Sequence, residues 1–197
     1  MFNRVFVESE GPNEFYKSLG KEVGRVQDLP EGATPNDLII LSGGIDINPA
    51  LYGEKPHPRT QVQSPTLSRR DQFCVDLWKF AISRGIPVLG ICRGHQHIAA
   101  MRGIKLIQDL PQSDHGRRKI LLEGKFWASA PKCHHQAVPI DHRINILGVT
   151  TTHSGLSFVE AFETEQKVLA VQGHPEWCDV NEEYPSWVRN KLWSYLK

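Results

Sequence analysis

The stretch Pro87-Val-Leu-Gly-Ile-Cys92-Arg-Gly-His-Gln96 governs how the rest of this sequence is read. An apolar run over residues 86–91 leads directly into Gly90-Ile-Cys92-Arg-Gly94, and helical spacing follows as far as about Met101, before Gly103. A strand that turns sharply into a helix with a reactive side chain at its tip, a nucleophile elbow, has this layout. Glycines two residues to either side of Cys92 allow a strained backbone and a close approach of strand and helix, which a Cβ would obstruct. A cysteine at the start of a helix also faces free N–H groups and the positive end of the helix dipole, which stabilise negative charge. A free cysteine after an apolar run ordinarily only packs in a core. The paired glycines turn the reading towards a nucleophile.

A base and a carboxylate stand far away in the chain. Val171-Gln-Gly-His174-Pro-Glu176-Trp follows the strand-like Val168-Leu-Ala-Val171. On an extended segment, side chains at i and i+2 share a side. Glu176 is then placed to hold the His174 imidazole in the tautomer that accepts the Cys92 proton, the nucleophile–base–orienter arrangement.

The elbow and the His-Pro-Glu motif resemble those of the class I glutamine amidotransferase superfamily, which read G-x-C-x-G-x-Q and H-P-E. A third segment, Leu41-Ser-Gly-Gly44-Ile-Asp46-Ile-Asn-Pro49-Ala-Leu-Tyr52-Gly-Glu54, is similar to the G-G-x-D-x-x-P-x-x-Y-G-E segment of the γ-glutamyl-γ-aminobutyrate hydrolase branch, also classed with the γ-glutamyl hydrolase peptidases (peptidase C26). Arg70-Asp71 and His134-His135-Gln136-Ala-Val138 also fall in that branch's order. The resemblance spans about residues 38–178. Two departures stand out: only 37 residues precede Leu38, so an early helix or strand is shortened, and Lys132-Cys133 occupies the place where the branch tends to have Asn-Ser.

The resemblance implies a three-layer, flavodoxin-like α/β fold, with a mostly parallel central sheet and helices on both faces, as one catalytic domain over residues 1–197. It implies hydrolysis of a small-molecule γ-glutamyl amide through a γ-glutamyl thioester on Cys92, with His174 as base and Glu176 as its orienter, and no cofactor. The alternative is a glutaminase subunit that supplies ammonia to a separate synthetase partner. The oxyanion donors map to the backbone N–H groups of Gly44 and Arg93. Gln96 helps hold the glutamyl portion, and Cys133, His134, His135 and Gln136 contact its α-amino and α-carboxylate groups, partly through backbone. Asp46, Tyr52, Arg70 and Asp71 either shape the entrance or pin the loop.

Composition narrows the classes further. Of 197 residues, 40% are hydrophobic and 23% charged, ordinary for a globular protein. A formal net charge of +1 gives no global electrostatic case for nucleic acid or an anionic membrane. Arg69-Arg70 and Arg117-Arg118-Lys119 read as solvated faces. The four cysteines show no C-x-x-C pair and no disulfide rhythm, which fits reduced thiols in a cytoplasmic compartment. The N-terminus lacks the pattern of a secretory signal, and no stretch reaches the roughly 20 apolar residues of a membrane span. A metal is the rival reading of His134-His135, with His142 and His153 near in sequence, but adjacent histidines on a strand point to opposite faces. No metal is expected.

The spacing predicts strands over 4–8, Leu38–Leu41 and Val88–Ile91, a strand pair over 158–162 and 167–171, and several short strands within 105–152. It predicts helices over 13–19, 68–83 and 187–196, and a long functional loop over 43–66.

Overall fold

Three apolar tetrads, Leu38-Ile-Ile-Leu41, Val88-Leu-Gly-Ile91 and Val168-Leu-Ala-Val171, offer no polar residue to either side of a pleat. They must therefore be covered on both faces. The computed structural model, which describes residues 1–111, 114–152 and 154–196, places all three side by side in one sheet. The chain runs β1 (Phe2–Val7), α1 (Glu14–Leu19), β2 (Gly20–Arg25), β3 (Leu38–Leu41), α2 (Arg69–Arg84), β4 (Val88–Ile91), α3 (Arg93–Met101), β5 (Asp114–Leu122), β6 (Phe126–His134), β7 (Val138–Pro139), β8 (Asn145–Thr151), β9 (Ser157–Thr164), β10 (Val168–Val171) and α4 (Glu183–Trp193).

The strand order is β2-β1-β3-β4-β10-β9-β8-β5-β6, with β7 paired to β9. The first five are parallel and follow the doubly wound order of flavodoxin-like sheets. From β9 outward every pairing is antiparallel, and this extension takes up the short strands expected within 105–152. Alternation along each tetrad assigns the layers. Leu38, Ile40, Leu89, Ile91, Leu169 and Val171 share a core with Phe15 and Leu19 of α1 and Val188 and Leu192 of α4. Ile39, Leu41, Val88, Val168 and Ala170 share the opposite core with Leu77 and Phe80 of α2 and Ile98 and Ala99 of α3.

Local chemistry sets the helix ends. Ser68 and Asp71 form a reciprocal capping box at the start of α2, and Gly85 closes it in the left-handed region at φ 63°. Helix α4 begins at Glu183, four residues before the expected 187, because Pro185 sits in the first turn, where no intrahelical N–H is needed. Its expected end at 196 is a short 3₁₀ turn, Ser194–Leu196. The chain enters β3 from β2 through residues 26–37 without a helix. Among the described residues no helix is long and apolar enough to cross a membrane.

The two elbow glycines are sterically required. A Cβ on Gly94 would lie 2.0 Å from the Leu41 carbonyl oxygen, and one on Gly90 would lie 2.4 Å from Ile98 Cδ1 and 2.8 Å from the Gly94 backbone. Gly94→Ala is expected to destabilise the protein by about 3 kcal/mol or more, since backbone must shift to admit the methyl group. Gly11→Ala, with nothing within 4 Å, should stay within about 0.5 kcal/mol. Urea unfolding of the two variants checks the contrast, and equal midpoints would remove the steric account.

Candidate active site

Strands β4 and β10 are parallel neighbours, with Ile91 opposite Val171. The loops that leave their carboxyl ends therefore start next to each other, where such sheets place ligands. At the end of β4, Cys92 takes φ 50° and ψ −101°, a conformation that costs a non-glycine residue on the order of 1–3 kcal/mol. Its N–H donates to the Val171 carbonyl at 2.9 Å, and its own carbonyl accepts from Gln96 N–H at 3.1 Å. The side chain caps nothing and is turned to two cavities, of about 320 and 290 Å³, which meet at Cys92.

The chain leaves β10 towards His174, whose N–H donates to the Pro131 carbonyl at 2.9 Å. His174 Nδ1 lies 2.6 Å from Glu176 Oε1, both side chains being almost fully buried. The expected contact is present, but its backbone is not extended throughout: Pro175–Trp177 is a 3₁₀ turn. Proline at its first position fixes φ and tightens the turn, which folds Glu176 back onto the ring. The Trp177 indole stacks flat on the imidazole, centroids 3.5 Å apart and planes within 1°. Among the described residues Nε2 is buried without a hydrogen-bond partner, and His174 lines the smaller cavity together with Cys92. Burial pulls the His174 pKa down, but the Cys92 sulfur and the Glu176 carboxylate outweigh it and push the value up to about 10.

Gly43 and Gly44, after β3, bring a third segment to the same point. A Cβ on Gly43 would lie 3.0 Å from His174 Cε1 and 3.8 Å from Cys92 Cβ, and Gly44 adopts φ 151°. Arg70 fixes this loop. Its guanidinium donates to the Gly43 carbonyl at 2.7 Å and clamps Glu8 through two bonds of 2.8 Å. The reading of Arg70 as part of a solvated face is thus corrected: a buried carboxylate partner and a loop carbonyl draw it inward, while its neighbour Arg69 is exposed. Asp71 accepts from Arg93 at 2.5 Å, each side chain only 2% exposed. Arg93 is the first residue of α3, so its N–H has no carbonyl within the helix to receive it. Of the two alternatives for Arg70 and Asp71, pinning is the observed one.

The larger cavity is lined by Gly44, Cys92, Gln96, Cys133, His134, His135 and Gln136, all singled out from sequence. Gln96 Nε2 donates to the Gln136 carbonyl at 3.1 Å and to Gln172 Oε1 at 3.2 Å. His134 is buried, with Nδ1 2.8 Å from the Gln136 carbonyl, and burial lowers its pKa. His135 lies between two carboxylates, Nε2 at 3.0 Å from Asp46 and Nδ1 at 3.2 Å from Asp109. Among the described residues no three His, Cys, Asp or Glu side chains gather as a metal site, and His153 lies outside the described residues. Lys132 is buried in an ion cluster with Glu160 and Asp114 and does not line either cavity.

Sequence reasoning missed Arg59, Gln61 and His115 on the larger cavity, and Glu10 and Trp177 on the smaller. Glu8 and Glu10 follow β1, a central parallel strand, so the rule that carboxyl ends carry the site could have flagged them. Arg59 and Gln61 belong to the 43–66 loop, for which composition gave a functional role but no particular residue.

A model of the peptidase C26 family matches residues 26–128. The glutamine amidotransferase-like protein YvdE of Lactococcus lactis subsp. lactis is 30% identical over 201 residues, covering 89% of this chain and 83% of that protein. Rv2859c of Mycobacterium tuberculosis, provisionally named a glutamine amidotransferase, is 34% identical over 166 residues; the match takes in 70% of this chain but spans only half of that protein, 50%. Among solved structures, PurLQS from Thermotoga maritima superposes with a TM-score of 0.65 at 19% identity, covering 100% of both chains. A glutamine amidotransferase from the same organism gives 0.61 at 16% identity, over 89% of this chain and 77% of that one. The structures establish a class I glutamine amidotransferase fold, and the sequence matches support a hydrolase or amidotransferase. By family, this chain is a member of peptidase C26.

Proposed function

We propose that residues 1–197 form one catalytic domain, a cysteine-dependent hydrolase that cleaves the γ-glutamyl amide bond of a small molecule. The observation that carries this reading is the 2.6 Å His174–Glu176 pair beside a cysteine held at an elbow with φ 50°. In the reaction, the proton shared by Cys92 and His174 rests on His174 before attack, and Cys92 Sγ adds to the γ-carbonyl carbon. The carbonyl electrons move onto oxygen, where the N–H groups of Gly44 and Arg93 donate. One such donor is typically worth about 100- to 1000-fold in rate. The C–N bond then breaks, the nitrogen takes the His174 proton, and a γ-glutamyl thioester remains. Water, deprotonated by the same imidazole, releases glutamate and restores the thiol. Glu176 stabilises the charged imidazole throughout, and reduced, cytoplasmic conditions keep Cys92 a thiol.

The name of the 30%-identical relative YvdE favours a second reading, in which glutamine is the substrate and ammonia passes to a synthetase. Added synthetase would then raise glutamate release from glutamine.

Cys92→Ala is expected to lower glutamate release from every γ-glutamyl amide by at least about 1000-fold with an unchanged circular dichroism spectrum. Retained turnover would remove Cys92 as the nucleophile. Glu176→Gln should cost about 100- to 10,000-fold in kcat, because the amide can present the wrong partner to Nδ1 and carries no charge. The same variant tests the electrostatics. In the wild type, imidazole NMR should show His174 losing its proton near pH 10, against an ordinary 6.5. The stabilisation from charged His174 is then complete below about pH 6.5 and is lost as pH rises through about 10. In Glu176→Gln the midpoint should fall. An unchanged midpoint would mean that Glu176 does not set the charge of the ring.

A further inference from the structure

The two cavities at Cys92 are chemically unlike, and the reaction assigns them different occupants. Gln96, His134, His135 and Gln136 line only the larger, whereas His174 lines only the smaller. The leaving nitrogen must receive its proton from His174, so the departing group lies on the His174 side and the glutamyl portion on the other. The smaller cavity measures about 290 Å³. Ammonia, similar in size to a water at about 30 Å³, would fill only a small fraction of it.

Its walls are Glu10, Gly43, Gly44, Cys92, Cys133, His174 and Trp177. Apart from the proton-donating His174, no cationic side chain is among them. Arg70, whose charge also acts on Glu10, is committed to Glu8 and the Gly43 carbonyl. Glu10 Oε2 accepts from the Tyr16 hydroxyl at 2.9 Å, and Oε1 has no partner among the described residues. Burial pushes the Glu10 pKa up, with the Tyr16 hydrogen bond acting against this, so an incoming cation would favour the carboxylate. Trp177 is stacked on His174 by one indole face, and 55% of the residue is exposed. A carboxylate and an indole in the wall of one cavity suit an ammonium group, and neither suits a second carboxylate.

We propose that this smaller cavity is the leaving-amine site, and that Glu10 and Trp177 select γ-glutamyl conjugates of amines carrying a second, cationic group. The proposal rests on the hydrolase reading given above and names its substrate class. It makes Glu10 a specificity-determining residue.

Three γ-glutamyl amides of matched length test it: those of 1,4-diaminobutane, n-pentylamine and 4-aminobutanoate, which end in a cation, a methyl group and an anion. The expected order of kcat/KM is cation over neutral over anion, with about a tenfold advantage of cation over neutral at low salt that shrinks as ionic strength rises. Glu10→Gln should reduce the cation-to-neutral ratio about fivefold or more and abolish its salt dependence. Trp177→Leu should also lower the ratio. Wild-type rates within twofold of each other, a preference for the anion, or a ratio unmoved by Glu10→Gln overturns the proposal and leaves the hydrolase standing. Should Glu10→Gln not fold, the wild-type order and its salt dependence decide. Hydrolysis of glutamine alone, or of no amide at all, overturns the proposal, and in the second case the hydrolase reading falls with it.

Discussion

The first turn of α3 lies against β3 so tightly that Gly94 has no room for a side chain, because the Leu41 carbonyl oxygen occupies the space a methyl group would need. That approach shortens the link between β4 and α3 to a single residue, and the single residue must reverse the chain. Cys92 does so at φ 50°, a conformation that its neighbours impose. Packed cores deform little, so the strain is not relieved by small adjustments elsewhere. The thiol is thereby held at the tip of the turn.

A second set of restraints comes from α2, which touches no part of the reaction. Its first turn holds Ser68, Arg70 and Asp71, and each is committed. Ser68 and Asp71 cap the helix, Asp71 also anchors the buried Arg93 guanidinium, and Arg70 ties Glu8 to the carbonyl before the Gly44 loop. Buried ion pairs are weak evidence of stability, since desolvation offsets most of the attraction. What they supply here is registry: one helix end sets the spacing between the Gly43-Gly44 loop and the first turn of α3. Replacement by apolar side chains could fill the same volume but would not fix those two segments relative to each other.

Much of this was legible in the chain itself, for physical reasons. The three tetrads can only be strands covered on both faces, and the paired glycines at 90 and 94 can only mean close approach, so the centre of the fold and the sharp turn at Cys92 follow from local pattern. The His174–Glu176 contact was also legible, though for the wrong backbone, since proline turned an extended segment into a 3₁₀ turn without separating the two side chains. Arg70 and Arg117 look alike in sequence, each within a short basic run. One is bound to a carboxylate 62 residues away, while the other reaches out to Glu182 on the surface. No local pattern separates them, because the difference lies in which strand ends the topology brings together. The same is true of Arg59 and His115, which are ordinary polar residues until the loops around the sheet converge.

The outermost strand, β6, closes the antiparallel side of the sheet, and an unpaired edge of that kind invites a neighbouring molecule to add a strand. Midway along it stands Pro131, which has no N–H to offer, and whose carbonyl is already taken by His174 N–H at 2.9 Å. Protection of this edge and the placement of His174 thus share one residue. A chain that paired its main chain with this border at Pro131 would compete with the imidazole-bearing loop for that carbonyl.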